Sequence, residues 1–276
     1  MSHLASKLWA FFCRDLQHEV SYRVNFLFQF AGSFFFVTTW FFISRSLAAA
    51  FQPPDELPGV SYFAFVLVGF AFFQYLQSTL NSFSSKIRQE QLTGTLEAML
   101  VTPTPAALVI LGSALWDYLM TTFRVGVVLL LGAGLARGFG EQVGFQVSGL
   151  PAFFVLLALT ITSFAGIGIL SAAFTVWLKR GDPVNYLISA LSALLGGVFF
   201  RVEALPGWLQ YISRLLPITH ALEAIRKALL GGAGLAEVAG EMQILLLFSV
   251  VLIPLGLLAF VFSLRQARVA GTLVQY

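Results

Sequence analysis

Charged residues are scarce in this sequence. Asp, Glu, Lys and Arg account for 11% of its 276 residues, whereas hydrophobic residues account for 58%. Soluble globular domains usually carry about 25% charged residues, so this chain could not cover its surface with polar groups in water. The composition excludes an ordinary soluble protein and indicates an integral membrane protein, which has the lipid bilayer as a partner.

Residues for familiar active-site chemistry are also scarce. The lone cysteine, Cys13, excludes an intramolecular disulfide, and the three histidines have no metal-binding spacing. None of the four lysines follows a glycine, so the chain lacks a loop of the kind that holds ATP phosphates. It also lacks a nucleophile elbow and any basic stretch suited to nucleic acid. We therefore predict no catalytic residue, no metal, no cofactor bound by this chain and no nucleic-acid partner.

Long uncharged stretches predict six transmembrane helices, because about 20 predominantly apolar residues cross the hydrocarbon core. The predicted spans are residues 25–44, 62–80, 106–136, 150–176, 183–200 and 242–264. The fifth is the shortest, and the third alone contains charges, Asp117 and Arg124. The predicted fold class is an all-α integral membrane protein with a single transmembrane domain over residues 1–276.

The basic residues predict the orientation, because cytoplasmic loops are enriched in Lys and Arg. An even number of spans places both termini on one side. Nine basic residues fall on the side of the termini and six on the other. The nine are Lys7, Arg14, Arg23, Lys86, Arg88, Lys179, Arg180, Arg265 and Arg268. We predict a multi-pass protein of the cytoplasmic (inner) membrane with both termini, including the tail 265–276, in the cytoplasm.

Two amphipathic regions lie outside the predicted spans. Residues 1–23 have apolar residues at helical spacing, which predicts an interfacial helix on the membrane surface. Residues 201–241 predict a pair of outer helices before the last span, and neither is long enough to cross, so the pair is interfacial or re-entrant. The pair covers about 207–215 and 218–229, after Pro206 and Pro217 and before Gly231-Gly232.

The stretch 89–105, QEQLTGTLEAMLVTPTP, is a polar interruption between the second and third spans. Its periodicity predicts a short cytoplasmic helix over 89–101, and Pro103 and Pro105 end it. One face carries Leu92, Leu96, Met99 and Leu100, and the other carries Glu90, Gly94 and Glu97. A carboxylate face beside a membrane predicts contact with another protein, and the contact could use either face.

Asp117 and Arg124 are seven residues apart, so on a helix they share a face about 10 Å apart along the axis. Ionisable groups inside the membrane are costly and often mark a transport pathway. Alternatively, a neighbouring helix pairs each of them, or Asp117 lies close enough to the cytoplasmic end to contact water. Both interpretations, pathway and intramembrane pairing, stay open.

Two segments resemble the ABC-2 type permeases, the transmembrane subunits of ATP-driven exporters. In residues 89–105 the resemblance rests on Glu90, Gly94, Thr95, Leu96, Glu97 and the Thr102-Pro103 step. In residues 196–231 it rests on Glu203, Leu205-Pro206, Trp208, Pro217, Glu223, Arg226 and Gly231. An amphipathic amino-terminal helix and six spans are also the layout of that family, so the resemblance extends over nearly the whole chain. One departure is Arg201, where many members have an uncharged residue.

The resemblance implies a permease subunit of an exporter that moves amphipathic substrates outward, such as lipid-linked glycans, lipids or hydrophobic drugs. It implies two separate nucleotide-binding ATPase subunits, which carry the ATP and Mg, and a second permease, either the same chain in a homodimer, which we expect, or a close relative in a heterodimer. It assigns coupling to the ATPase to the helix that contains Glu90, Gly94, Thr95, Leu96 and Glu97. It places the exit region beside the outer helix pair, with Glu203, Glu223 and Arg226, and the departure at Arg201 adds a positive charge near this exit.

Two other classes of function are compatible with a membrane protein. An ion-gradient-driven secondary transporter or channel subunit would need intramembrane acids, and Asp117 is the only acid in a predicted span. A membrane-embedded enzyme or assembly factor would need a convergent acid, base or metal set, which the sequence lacks. We therefore expect a transport subunit that is not itself an enzyme.

Overall fold

The computed structural model describes residues 23–48, 51, 53–54, 56–92, 106–141, 143–178 and 183–269. Three predicted features lie outside these residues, wholly or for the most part. They are the interfacial helix 1–23, the coupling segment beyond Leu92 and the end of the tail 265–276. The account below concerns the described residues.

Eight α-helices follow one another along the chain, with no β-strand among the described residues. They are α1 (Arg23–Leu47), α2 (Tyr62–Leu92), α3 (Ala106–Gly138), α4 (Leu150–Leu178), α5 (Pro183–Leu195), α6 (Gly207–Arg214), α7 (Pro217–Gly231) and α8 (Ala239–Val269). Single 3-10 turns precede α4 at Val147–Gly149 and α6 at Val202–Ala204. The all-α prediction is confirmed.

Among the described residues, four stretches are long and apolar enough to cross a membrane. They are Tyr62–Ser85, Trp116–Gly138, Val147–Leu178 and Ala239–Ala267. They overlap the predicted second, third, fourth and sixth spans. Helix α1, at 25 residues, covers the predicted first span. Helix α5 has 13 residues and is only about 20 Å long, short of the roughly 30 Å hydrocarbon core.

Helix α2 is the centre of the bundle, where it packs against α3 and α4. Every side chain from Phe63 to Val68 is buried, as are Phe72, Tyr75 and Leu76 further along the helix. Helix α2 also runs past the predicted end of its span at residue 80 to Leu92. No proline interrupts this stretch, and Ser82 and Ser84 donate hydrogen bonds to carbonyls one turn earlier. The start of the predicted coupling segment is therefore continuous with a buried helix.

Helices α4 and α8 pack closely along their length, because glycine removes the side chains at their contact. A Cβ built on Gly166 would lie 2.5 Å from the Cβ of Leu252, and one on Gly256 would lie 2.9 Å from the Gly166 oxygen. Real Cβ atoms do not approach other atoms so closely. The two glycines therefore fix the distance between α4 and α8.

Glycine also ends the short helix α5. Gly197 has a φ of +74°, a left-handed conformation that costs glycine little and most other residues more. A Cβ on the preceding Gly196 would lie 2.4 Å from the Ser192 oxygen. Residues 196–200, the last five of the predicted fifth span, therefore continue as non-helical chain.

Both predicted outer helices are present, and they differ in how much of their surface is buried. Helix α6 is exposed, with Trp208 at 66% and Tyr211 at 74% of their maximum accessibility. Helix α7 instead packs against α2, α4 and α8 with most of its residues buried. It begins with Pro217 and ends at Gly231, and the next residue, Gly232, has a φ of +72°. For α7 the structure favours a position inside the protein over one on its surface.

Candidate functional site

A groove of about 310 Å³ runs along α2 and faces α3. We call it the polar groove. Its walls carry carboxamides, hydroxyls and one charge of each sign, within a helix pair that is otherwise apolar. The lining residues are Gln74, Gln77, Ser78, Asn81, Ser82 and Ser85 of α2, with Asp117 and Arg124 of α3. The structure therefore brings the two predicted intramembrane charges to one polar site.

Hydrogen bonds fix the neighbouring helices around the polar groove. Thr121 of α3 donates to the hydroxyl of Ser78 at 2.6 Å. On the other side of α2, Asn185 of α5 donates to the Asn81 carboxamide oxygen at 2.9 Å, and Ser189 donates to the Gln77 oxygen at 2.8 Å. A single polar stripe on α2 thus contacts both α3 and α5.

A second and larger space of about 750 Å³ lies at the end of the bundle where α2 begins. We call it the charged cavity. Its walls come from the loop before α2, the segment 196–203, α6, α7 and the start of α8. The ionisable lining residues are Glu56, Arg201, Glu203, Arg214, His220, Glu223, Arg226, Lys227 and Glu241. All four residues predicted for the exit region therefore line one cavity.

Arg226 has its guanidinium group buried and bound to main-chain oxygens. It donates four hydrogen bonds to three carbonyls: two to Phe65 at 2.9 and 3.2 Å, one to Gly197 at 2.8 Å and one to Val198 at 3.1 Å. Its guanidinium carbon lies 3.4 Å from the centre of the Phe65 ring. Burial lowers the pKa of Arg226 to about 9, which leaves it charged at neutral pH.

This contact set holds three parts of the chain together. Phe65 belongs to α2, Gly197 and Val198 follow the end of α5, and Arg226 belongs to α7. A helix break inside an apolar bundle leaves carbonyls without donors, and such carbonyls must be satisfied within the protein. Gly69 makes the approach possible, because a Cβ there would lie 2.2 Å from the Val198 oxygen and 2.5 Å from Arg226 Nη2. We call this arrangement the arginine staple.

Lys227, the next residue, joins two other segments. Its ammonium group lies 2.8 Å from Glu56 Oε2 in the loop before α2 and 2.6 Å from Glu241 Oε1 at the start of α8. Burial alone would lower the pKa of Lys227, but the hydrogen bonds and charges of Glu241 and Glu56 outweigh burial and raise it. The α7–α8 connection is thereby tied to the loop between α1 and α2.

Glu223 and Arg201 complete the wall of the charged cavity. Burial raises the pKa of Glu223. The charges of Glu203 and Glu241 raise it further, whereas His220 and Lys227 lower it. Arg201 pairs with Glu203 at 3.3 Å and donates to the Pro53 oxygen at 3.3 Å. Arg201 is therefore held at the cavity wall, where a ligand could reach its partly exposed side chain.

The predicted coupling residues fall at the edge of the described chain. Glu90 lies in the last turn of α2, while Gly94, Thr95, Leu96 and Glu97 lie outside the described residues. Their role in coupling stays a prediction. Among the described residues, no three His, Cys, Asp or Glu side chains come close enough together to hold a metal ion.

Two groups of residues escaped the sequence analysis. Gln74, Gln77, Ser78, Asn81 and Ser85 recur at helical spacing within an apolar span, so their shared face could have been recognised. Glu56, Lys227 and Glu241 gave no such signal, because they meet only through folding. The hydrogen-bond acceptors of Arg226 could not be recognised from the sequence either, since Phe65 lies 161 residues away.

Long apolar helices around a polar groove and a charged cavity are typical of an α-helical membrane protein. The family described as ABC-2 family transporter protein matches residues 44–258. This match covers the helices that line both the polar groove and the charged cavity. The chain therefore belongs to the ABC-2 transporter family.

Individual relatives agree with the family. Nodulation protein J of Rhizobium meliloti is 27% identical over 177 residues, which are 64% of this chain and 65% of that protein. The inner membrane transport permease YadH of Escherichia coli is 25% identical over 188 residues, 64% of this chain and 66% of YadH. The protein named "Probable multidrug ABC transporter permease YbhR", also from Escherichia coli, is 26% identical over 152 residues, 55% of this chain and 40% of YbhR. The chain thus spans just under two thirds of the first two relatives.

Proposed function

We propose that this chain is the membrane-spanning permease subunit of an ATP-binding-cassette exporter. It moves an amphipathic substrate outward, using ATP that separate subunits hydrolyse. The observation that carries this proposal is the family match over residues 44–258. Relatives named as an inner membrane transport permease and a multidrug permease support it.

The proposed topology has six spans and both termini in the cytoplasm. Helix α1 is the first span, and α5 together with the non-helical residues 196–200 is the fifth. In this orientation the polar groove lies towards the cytoplasmic side and the charged cavity towards the outside. The α6–α7 pair, with α7 buried in the protein, then forms a re-entrant structure beside the exit.

The proposed assembly has two permease copies and two ATPase subunits. The segment 89–101 contacts the ATPase, with Glu90 and Glu97 as the main polar contacts. Helix α2 continues without a break from the charged cavity, past the polar groove, to Leu92. A displacement of the coupling segment is therefore transmitted directly to the helix that lines both spaces. ATP binding shifts the permease between two states through its different affinity for each.

Glu97→Arg tests the coupling role. We expect it to abolish the permease-stimulated part of ATP hydrolysis in the reconstituted complex, because the reversed charge opposes docking at a close interface. The chain should still insert and dimerise, as judged by size-exclusion chromatography. Glu237→Arg is the matched control, since Glu237 is exposed in the turn before α8, away from the coupling segment.

Undiminished ATP-driven transport by Glu97→Arg would refute the coupling assignment. A substrate flux in vesicles that follows a proton gradient and ignores ATP would instead favour a secondary transporter. In that case Asp117, the acid in the polar groove, would be the first residue to substitute.

A further inference from the structure

We propose that Glu223 binds the ammonium group of a cationic ligand in the charged cavity. This role adds a ligand class to the permease function and rests on that function only for the direction in which the ligand moves. Glu223 differs from the other acidic residues of the cavity, because no described basic residue forms an ion pair with its carboxylate. The other three acids, Glu56, Glu203 and Glu241, each pair with a lysine or an arginine.

The basic side chains of the charged cavity are not available to Glu223. Arg226 donates to three carbonyls, and Lys227 lies between two carboxylates. Arg201 pairs with the acid two residues further along the chain. Arg214 is exposed in the last turn of α6 and forms no ion pair within the described part of the chain. The protein therefore leaves the Glu223 carboxylate without a cation of its own.

His220, which lies one turn before Glu223 on α7, does not provide a donor either. Its Nε2 atom lies 2.8 Å from the main-chain oxygen of Arg214. A carbonyl oxygen only accepts hydrogen bonds, so Nε2 carries the proton, and Nδ1 of the neutral imidazole carries none. Neutral His220 therefore cannot donate a hydrogen bond to the Glu223 carboxylate.

The charge of Glu223 is costly to the folded protein. Burial is the largest of the causes that raise its pKa, and the positive charges nearby do not outweigh it. Ionised Glu223 is therefore less stable in the protein than in water, whereas a glutamine at this position would avoid the cost. A carboxylate that destabilises the fold and lines a cavity is a candidate for a functional role.

The charged cavity has the size and the walls of a ligand site. Its volume of about 750 Å³ lies within the range of roughly 300–1,000 Å³ that is usual for small-molecule sites. Besides the charged groups, its walls carry the apolar side chains of Leu57, Phe200, Val202 and Ile244. An ammonium group would supply Glu223 with both a charge and hydrogen-bond donors, and an apolar body would contact these side chains. An anion would leave Glu223 without a partner, so the cavity favours a cationic amphipathic ligand.

Binding of a fluorescent amine to the purified permease tests the site without any ATPase. The permease is held in nanodiscs of dioleoylphosphatidylcholine, whose surface has no net charge. Three probes carry a dansyl group on the same pentyl chain and end in an amine, a hydroxyl or a carboxylate. We expect the amine to bind about tenfold more tightly than the alcohol, equivalent to about 1.4 kcal/mol, and the carboxylate to bind no better than the alcohol. Glu223→Gln keeps the shape of the side chain without its charge and should remove most of the preference for the amine, whereas Glu223→Asp should retain part of it.

A matched control separates the cavity from general attraction between charges. Glu237→Gln changes the net charge by the same amount, but Glu237 is exposed in the turn before α8 and does not line the cavity. This control should keep the amine preference of the unmodified protein. Thermal unfolding at neutral pH checks the fold of Glu223→Gln, which should be at least as stable as the unmodified protein, because it no longer holds a buried charge. A loss of amine binding in this variant therefore reports on the site.

Three results would overturn the site: no preference for the amine in the unmodified protein, an unchanged preference in Glu223→Gln, or an equal loss in Glu237→Gln. Tighter binding of the carboxylate probe than of the amine would also refute it, since the cavity would then select anions. A second arm uses vesicles that contain the complete complex. ATP-driven movement of the amine probe that is slowed in Glu223→Gln would identify a transported cation. Absence of any ATP-driven transport, with the binding preference retained, would count against the proposed function and leave the ammonium site intact.

Discussion

The charged cavity and the polar groove lie along the same helix, and they are built in different ways. Around the cavity, full charges are fixed by short contacts: Arg226 on three carbonyls and Lys227 between two carboxylates. Around the groove, neutral side chains join α2 to α3 through one hydrogen bond and to α5 through two. Bonds between neutral groups are weaker than those to charged ones, so these three hydrogen bonds cost less to break than the contacts of Arg226 and Lys227.

This difference suggests which end of the molecule moves. The arginine staple joins α2, the end of α5 and α7 into one unit, and Gly69 leaves no space between them. At the groove, α3 and α5 can each lose one or two bonds to α2 and regain them with water or a ligand. We expect conformational change to concentrate at the groove, while the cavity wall moves as a rigid body.

Arg226→Met should have the largest effect on stability. Three carbonyls lose their donors, at about 1–3 kcal/mol each, so we expect the free energy of unfolding to fall by at least about 3 kcal/mol. Thermal unfolding of the detergent-solubilised protein measures this. Arg201→Met is the matched control from the same cavity, and its partly exposed pair with Glu203 should contribute less than about 1 kcal/mol. Equal stability of the two variants would mean that the staple does not hold the cavity together.

Gly69→Ala disturbs the arginine staple without removing a charged group. The added methyl group must displace either the Val198 carbonyl or the Arg226 guanidinium, so this variant should be destabilised in the same direction. Gly126→Ala on α3 is its control, because a Cβ there meets nothing within 4 Å. A harmless Gly69→Ala would show that the three segments have room to shift.

A double-mutant cycle on Asn81 and Asn185 should give a smaller effect at the groove. Interhelical hydrogen bonds between neutral groups in membranes contribute about 0.6 kcal/mol on average. We therefore expect Asn81→Ala and Asn185→Ala to show a coupling energy of that size in thermal unfolding. Asn81→Ala with Thr175→Ala on α4, whose hydroxyl donates to its own helix, provides a pair with no expected coupling. A coupling as large as the loss in Arg226→Met would remove the contrast between the two regions.

Glu223→Gln should have the smallest effect, and its sign depends on pH. The folded protein raises the pKa of Glu223, so the folded state holds this proton to a higher pH than the unfolded state does. Stability therefore falls as pH rises through the ordinary pKa of glutamate towards the raised one. Glutamine cannot lose a proton, so the variant should gain stability relative to the unmodified protein at neutral pH and show no gain at low pH. A gain at low pH, or a loss at neutral pH, would contradict this assignment.

The long helices were predictable because hydrophobicity and proline act locally. The start of α3 at Ala106 follows directly from Pro103 and Pro105, and Pro217 and Gly232 limit α7 as expected. The length of α2 was not predictable from hydropathy, since residues 81–92 are polar yet remain helical. The shortness of α5 was missed because residues 196–200 are as apolar as the helix that precedes them.

The candidate site was likewise predictable only in part. Arg201, Glu203, Glu223 and Arg226 were grouped by their position before the last span, and the fold does bring them to one cavity. The environment of Arg226 could not be predicted, because its acceptors are main-chain oxygens, which every residue carries. The sequence shows the position of the arginine, but main-chain acceptors have no sequence pattern by which they could be predicted.

The staple also has a consequence for biosynthesis. Helix α2 leaves the ribosome long before Arg226, and the carbonyls of Gly197 and Val198 are made about thirty residues ahead of their donor. A chain that is released before position 226 has all of α1 to α6 but lacks the group that fastens α5 to α2. A residue made late in translation therefore completes the packing of a helix that is made early.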